Sequence, residues 1–307
     1  MNAVARSLSV FPPVVRAQAR SYLALCKLRV VALIVFTAVV GMLLAVPGMP
    51  PVGPFVAATA GIALAAAAAA ALNHVIDRHI DARMRRTCYR PLPLGALGER
   101  HALAFAAVLG VASMAVLTLA VNLLTAALTF GTLIGYAVVY TAYLKHATPQ
   151  NIVLGGAAGA APPILGWAAM TGTVSPDALA LFLIVFVWTP PHFWALAIHR
   201  RDDYAAAGVP MLPVTHGIRL TRLHVLLYTV LLVAISTMPW LLRASGWLYL
   251  AAAIVLGAGF LRHSWRLWRG ADARAPMATF RYSILYLFLL FAALLADHYL
   301  PLALRGV

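Results

Sequence analysis

Eight acidic residues occur in this chain of 307, and four of them fall in two short basic stretches. Asp77 and Asp81 lie in Asn73-His74-Val75-Ile76-Asp77-Arg78-His79-Ile80-Asp81, and Asp202 and Asp203 lie in His199-Arg200-Arg201-Asp202-Asp203-Tyr204. On a helix, Asn73, Asp77 and Asp81 stack on one face and drift only about 40° over two turns. Neighbours on such a face stand roughly 5–6 Å apart at Cβ, which is wide for a cage made of protein alone. That spacing suits Mg²⁺ or Mn²⁺, held by one or two carboxylates with the other ligands taken from water and substrate phosphate. Arg78, Arg83, Arg85, Arg86 and Arg90 crowd the acids, and arginine recognises phosphate in a bidentate fashion. Pro91 and Pro93 should stop the helix and project Arg90 from a constrained turn. A competing reading is i,i+4 pairing of Asp77 or Asp81 with Arg85 on a solvated helix end. Spacing leaves both readings open.

The second stretch follows Val187-Trp188-Thr189-Pro190-Pro191-His192-Phe193-Trp194-Ala195-Leu196-Ala197-Ile198. Pro190 and Pro191 are expected to break a helix within the membrane, which is tolerated where the backbone is buried in protein or lines a cavity. His192 at that break is either a buried, hydrogen-bonded core residue or a contact to cofactor or substrate. Trp188 and Trp194 also fit an interfacial role. Asp203 could hold a second metal opposite the first stretch, or Asp202 and Asp203 could merely pair with Arg200 and Arg201. Gly208, Pro210 and Pro213 shape the turn that follows.

Everything around these stretches is apolar. Hydrophobic residues make up 63% of the chain, charged residues 10%, and mean hydropathy is +0.90; soluble domains carry roughly 25% charged residues. The fold class is therefore an all-α integral membrane protein, a bundle of about nine transmembrane helices around a central cavity. The spans fall near 29–47, 54–76, 101–120, 123–144, 151–170, 178–199, 223–242, 246–262 and 281–300. Residues 1–28 read as a basic cytoplasmic tail, 29–300 as one transmembrane domain and 301–307 as a short C-terminal tail.

Of 23 basic residues, 21 fall on one side of this layout, leaving only Arg243 and Arg305 opposite. The N-terminus is then cytoplasmic, and both acidic stretches share that face. The same rule accounts for the net charge of +15, so nucleic acid is not an expected partner. Cys26 and Cys88 lack metal-ligand spacing, which argues against zinc. No stretch in residues 1–28 resembles a cleavable signal peptide. A bacterial inner (plasma) membrane is favoured over a mitochondrial inner membrane, although the arginine-rich start also fits a transit peptide. The alanine run 65–71 and Gly155, Gly156, Gly159 and Gly166 permit close helix approach, for a cavity wall or for plain packing.

Four blocks resemble the membrane-embedded prenyltransferase superfamily. The first is Asn73 through Pro93, with Asp77-Arg78, Ile80-Asp81, Met84, Arg86-Thr87 and Arg90-Pro91-Leu92. The second is Tyr140-Thr141 with Leu144-Lys145 and Thr148-Pro149-Gln150-Asn151-Ile152-Val153. The third is Trp188 through Ala197, and the fourth Asp203-Tyr204 with Ala207 through Val214. The last three resemble the haem-farnesylating branch in particular. His79 and His199 stand where relatives often carry an acid, so the second site would use fewer carboxylates and Asp202 is not assigned to metal.

The resemblance implies farnesyl diphosphate and haem b as substrates and haem O and diphosphate as products. The product would serve a downstream haem A synthase or terminal-oxidase assembly. It further implies that Asp77, Asp81 and Asp203 hold Mg²⁺, that Asn73 orients a ligand or water, and that Arg78, Arg90, Lys145, Arg200 and Tyr204 line the headgroup site. His192 is the first choice for a haem contact, ahead of His199 and His216. The nearest rival is a sister enzyme that prenylates an aromatic acid or quinone precursor, against which the third and fourth blocks argue. A transporter is the alternative of another class, disfavoured because the acids cluster at one surface rather than at midplane.

Overall fold

The computed structural model describes residues 13–304 except Ala271. Arg6, within the expected tail, and Arg305 lie outside the described residues. The described residues form helices joined by turns: α1 (Pro13–Leu25), α2 (Leu28–Leu44), α3 (Val52–Asp81), α4 (Glu99–Ala120), α5 (Leu123–Ala147), α6 (Asn151–Thr171), α7 (Pro176–His199), α8 (Arg201–Ala206), α9 (Leu212–Thr215), α10 (Gly217–Ile235), α11 (Met238–Leu241), α12 (Trp247–Arg269) and α13 (Ala275–Leu304). Among the described residues, eight helices, or nine spans if the α1–α2 pair bent by 46° is one, are long and apolar enough to cross a membrane.

Apolar side chains cover the outside. Val108 and Val111 on α4, Leu227 and Val230 on α10 and Val255 on α12 are all more than half exposed. A surface of this kind is stable only against lipid, where each backbone group must be satisfied within its own helix. The bundle centres on α7, whose Ile184, Val185, Val187 and Trp188 pack with Leu232, Tyr249, Phe260, Tyr286, Leu290 and Phe291 from α10, α12 and α13.

Between helices in lipid, small residues take over the work that burial from water does elsewhere. A Cβ on Gly166 of α6 would collide with the backbone of Ala38 on α2, and one on Gly41 would collide with the backbone of Pro163. Gly61 gives the same room to Leu117 of α4, and Ser113 donates to the Gly61 carbonyl at 2.7 Å. Most of the alanine run on α3 is buried, including Ala65 and Ala67 through Ala71.

The helix that carries the first acids runs through Asp81, so Asn73, Asp77 and Asp81 share it. One expectation is corrected. Pro190 and Pro191 do not break α7, which continues from Pro176 to His199. A missing N–H costs a helix its i−4 bond, but here neighbours clamp the segment. Thr189 Oγ1 bonds back to the Val185 carbonyl at 2.8 Å, and the Trp188 indole donates to the Ser283 carbonyl of α13 at 2.7 Å.

The opposite end of the bundle is also tied. His298 meets the Val46 carbonyl at 3.0 Å, and the Asp297 carboxylate accepts from the Gly246 and Tyr249 amides at the start of α12. These contacts gather alternate helix ends on the face away from the acids, as an alternating up-down chain requires.

Candidate active site

The C-terminal end of α3 presents Asn73, Asp77 and Asp81, all 5% exposed or less. Each meets a cation from a different element. Lys145, at the end of α5, places Nζ 2.6 Å from Asp77 Oδ2. Arg90 places Nη1 2.6 Å from Asp81 Oδ2. Lys27, between α1 and α2, donates to Asn73 Oδ1. Asn73 Nδ2 in turn donates to Asp77 Oδ2 at 2.8 Å and to Thr141 Oγ1 at 3.2 Å.

Local structure explains this convergence. Residues 135–144 of α5 wind as a π-helix, and Thr141 Oγ1 bonds back to the Tyr136 carbonyl at 2.8 Å. π-Helical segments recur at functional sites. Here the wide turns set Thr141 and Lys145, four residues apart, against Asn73 and Asp77. After Asp81 the chain makes successive tight turns. Buried Thr87 donates to the Asp81 carbonyl at 3.0 Å, and the Arg90 amide donates to the Thr87 carbonyl at 3.0 Å. Those turns carry Arg90 back to the helix end it started from.

The two acidic stretches pack together. Met84 from the first shares an apolar cluster with Tyr204, Val209, Met211 and Leu212 from the second, with Ile80 of α3 against it. Tyr204 is within electrostatic reach of Arg86, Arg200 and Asp203, and burial raises its phenol pKa.

Some expected residues stand elsewhere. Arg78 turns away, with Nη2 3.2 Å from Glu99 and Nη1 donating to the Val75 carbonyl at 2.9 Å. Arg85 pairs with neither Asp77 nor Asp81, whose partners are Lys145 and Arg90. Asp203 is partly exposed and 3.8 Å from Arg200 Nη1, while Asp202 is exposed. Among the described residues no three carboxylate, histidine or cysteine groups converge as a metal cage. His192 is buried on the unbroken α7, stacked between Trp188 and Phe280 at centroid distances of 4.2 and 4.5 Å. Its Nδ1 lies 2.7 Å from Ser283 Oγ.

Sequence reasoning missed Lys27, Thr87 and Glu99. Lys27 carried one usable signal: it is one of only two lysines, and the other, Lys145, lies in the site.

A model of the UbiA prenyltransferase family matches residues 34–296. The chain belongs to the UbiA prenyltransferase family. A relative named protoheme IX farnesyltransferase, from Methylococcus capsulatus, is 61% identical over 283 residues, covering 92% of this chain and 95% of that protein. Solved UbiA-type folds align along nearly their whole length. A digeranylgeranylglyceryl phosphate synthase matches with TM-score 0.77 at 17% identity, covering 91% of this chain and 98% of that one. A UbiA homologue from Archaeoglobus fulgidus bound to DMAPP and Mg²⁺ matches with TM-score 0.60 at 16% identity, covering 89% and 99%. Identities this low establish the shared fold.

The acidic face of this UbiA-family chain offers a carboxylate oxygen that suits a divalent cation. Asp77 Oδ1 is buried with no hydrogen-bond partner. An unsatisfied buried carboxylate oxygen is expensive, and an octahedral cation that brings its own waters would satisfy it.

Proposed function

We propose that this chain transfers the farnesyl group of farnesyl diphosphate to a vinyl group of haem b, giving haem O and diphosphate. The observation that carries the chemistry is the buried pair Asp77 and Asp81, one helical turn apart, each already facing a cation. The substrate pair is supported by the 61% identity to a protoheme IX farnesyltransferase across most of both chains.

In the reaction the C1–O bond of farnesyl diphosphate breaks and its electron pair leaves with diphosphate. The vinyl π pair forms the new C–C bond, water adds to the resulting carbocation, and a proton is lost to give the hydroxyl. Asp77 and Asp81 would hold Mg²⁺, with Asp203 approaching from the Tyr204 side of the headgroup. When bound, the metal would supply Lewis-acid neutralisation of charge on the leaving diphosphate. Arg90, Lys145 and Arg200 contact phosphate oxygens as charge develops. Asn73, pinned by Thr141, fixes the orientation of Asp77. The alanine-rich wall of α3 takes the isoprenoid and keeps stray water from the cation. His192 reaches haem through the ring nitrogen that Ser283 leaves free. The basic helix ends support, by the positive-inside rule, a headgroup site on the cytoplasmic side of a bacterial plasma membrane.

The test supplies purified protein and Mg²⁺ with labelled farnesyl diphosphate and either haem b or an aromatic acid. Label is expected in the haem fraction alone. Label in the aromatic acid instead would make the chain a sister prenyltransferase.

A further inference from the structure

The described site holds more positive charge than its own acids require. Asp77 and Asp81 are two carboxylates, and Lys27, Lys145 and Arg90 are three cations around them. Lys145 and Arg90 each have an acid. Lys27 has the neutral amide of Asn73, with Asp77 and Asp81 near enough to act on it electrostatically but not within ion-pair distance. A cation withdrawn from water without a counter-ion is costly.

The backbone at Lys27 is also unusual. It occupies the left-handed region at φ 47°, at the bend between α1 and α2. A non-glycine residue there costs on the order of 1–3 kcal/mol and persists where the surroundings over-determine it.

His74 provides an independent observation. Its side chain is buried, the residue being 2% exposed, and both ring nitrogens lack a hydrogen-bond partner. It lies within electrostatic reach of both Lys27 and Arg90. Seven residues separate it from Asp81, so the two sit about 20° apart around α3. It is also about 4.5 Å deeper in the bilayer than Asp77. A buried, unpartnered imidazole within reach of two partly buried cations leaves room for an anionic acceptor.

We infer that Lys27 and His74 form the deep wall of the diphosphate site. In the substrate complex Lys27 leaves Asn73 for an oxygen of the phosphate nearest farnesyl C1, and His74 donates a ring N–H to the same phosphate. Arg90 and Lys145 grip the headgroup from the cytoplasmic side. The arrangement puts a mobile positive charge beside the bond that breaks, where leaving-group charge is greatest. This rests on the diphosphate reading above.

Binding of farnesyl thiodiphosphate, which resists ionisation, tests it. The measurement uses the purified full chain in nanodiscs without haem, alongside binding of farnesol. Lys27→Met is expected to weaken the thiodiphosphate roughly tenfold to a hundredfold. Lys27→Arg should stay within about threefold of wild type, since it keeps the charge. His74→Phe should cost roughly threefold to tenfold. Farnesol affinity and the melting temperature should not move. Unchanged thiodiphosphate binding by Lys27→Met overturns the inference, with the wider function intact. Equal losses in Lys27→Met and Lys27→Arg, together with weaker farnesol binding and a lower melting temperature, show a structural lysine and overturn it as well. Wild-type protein that fails to bind the thiodiphosphate removes the functional reading and this inference with it.

Discussion

Lys145 Nζ lies 2.6 Å from Asp77 Oδ2, in a pair whose side chains are 14% and 4% exposed. Each residue is thus the other's main counter-charge before substrate arrives. Breaking a buried pair by deleting one partner typically costs about 3–5 kcal/mol, because the remaining charge is uncompensated.

Lys145→Met should therefore lower the melting temperature and reduce turnover. Adding Asp77→Asn to Lys145→Met should recover much of the lost stability while abolishing turnover. Thermal unfolding of the two single variants and the double variant, run as a cycle, checks this. Strictly additive losses would mean that the two charges do not depend on each other.

Arg78 offers the contrasting case. Its partner Glu99 is half-exposed and the pair lies off the acidic face. Surface pairs contribute about 0–1 kcal/mol. Arg78→Ala should keep turnover within about threefold of wild type and barely change the melting temperature. A loss as large as that of Arg90→Ala would put Arg78 back among the headgroup contacts.

His192→Phe keeps a ring between Trp188 and Phe280 but gives up the bond to Ser283. Haem b affinity should fall while farnesyl thiodiphosphate affinity stays unchanged. Equal haem affinity in the variant would confine His192 to the core.

Gly166→Val tests the packing. Its side chain would enter the backbone of Ala38, and overpacking typically costs about 1–3 kcal/mol. A melting temperature lower by several degrees is expected. A matching substitution at Gly172 tests a different property: there a Cβ meets nothing, but φ is +67°, so only the backbone preference is lost.

The spans and the Asn73–Asp81 stripe were readable because hydropathy and helical periodicity are local properties of the chain. The partners of that stripe were not. Nothing in the spacing distinguishes Arg85, which pairs with neither Asp77 nor Asp81, from Arg90, which does, because the choice depends on how Thr87 folds the turn. Pro190 and Pro191 misled for the same reason: their intrinsic cost is outweighed by clamps from Trp188 and Thr189. Lys27 is 46 residues from Asn73, a contact set by the bend between two helices rather than by any motif.

The decisive measurement is the mass of the pigment extracted after incubating the purified chain with haem b, farnesyl diphosphate and Mg²⁺. Wild type should yield haem heavier by one farnesyl group and one water-derived hydroxyl. Asp77→Ala and Asp81→Ala, inserted and folded, should lower the rate at least roughly a thousandfold. Haem O formed at the wild-type rate by either variant would contradict the roles given to both carboxylates.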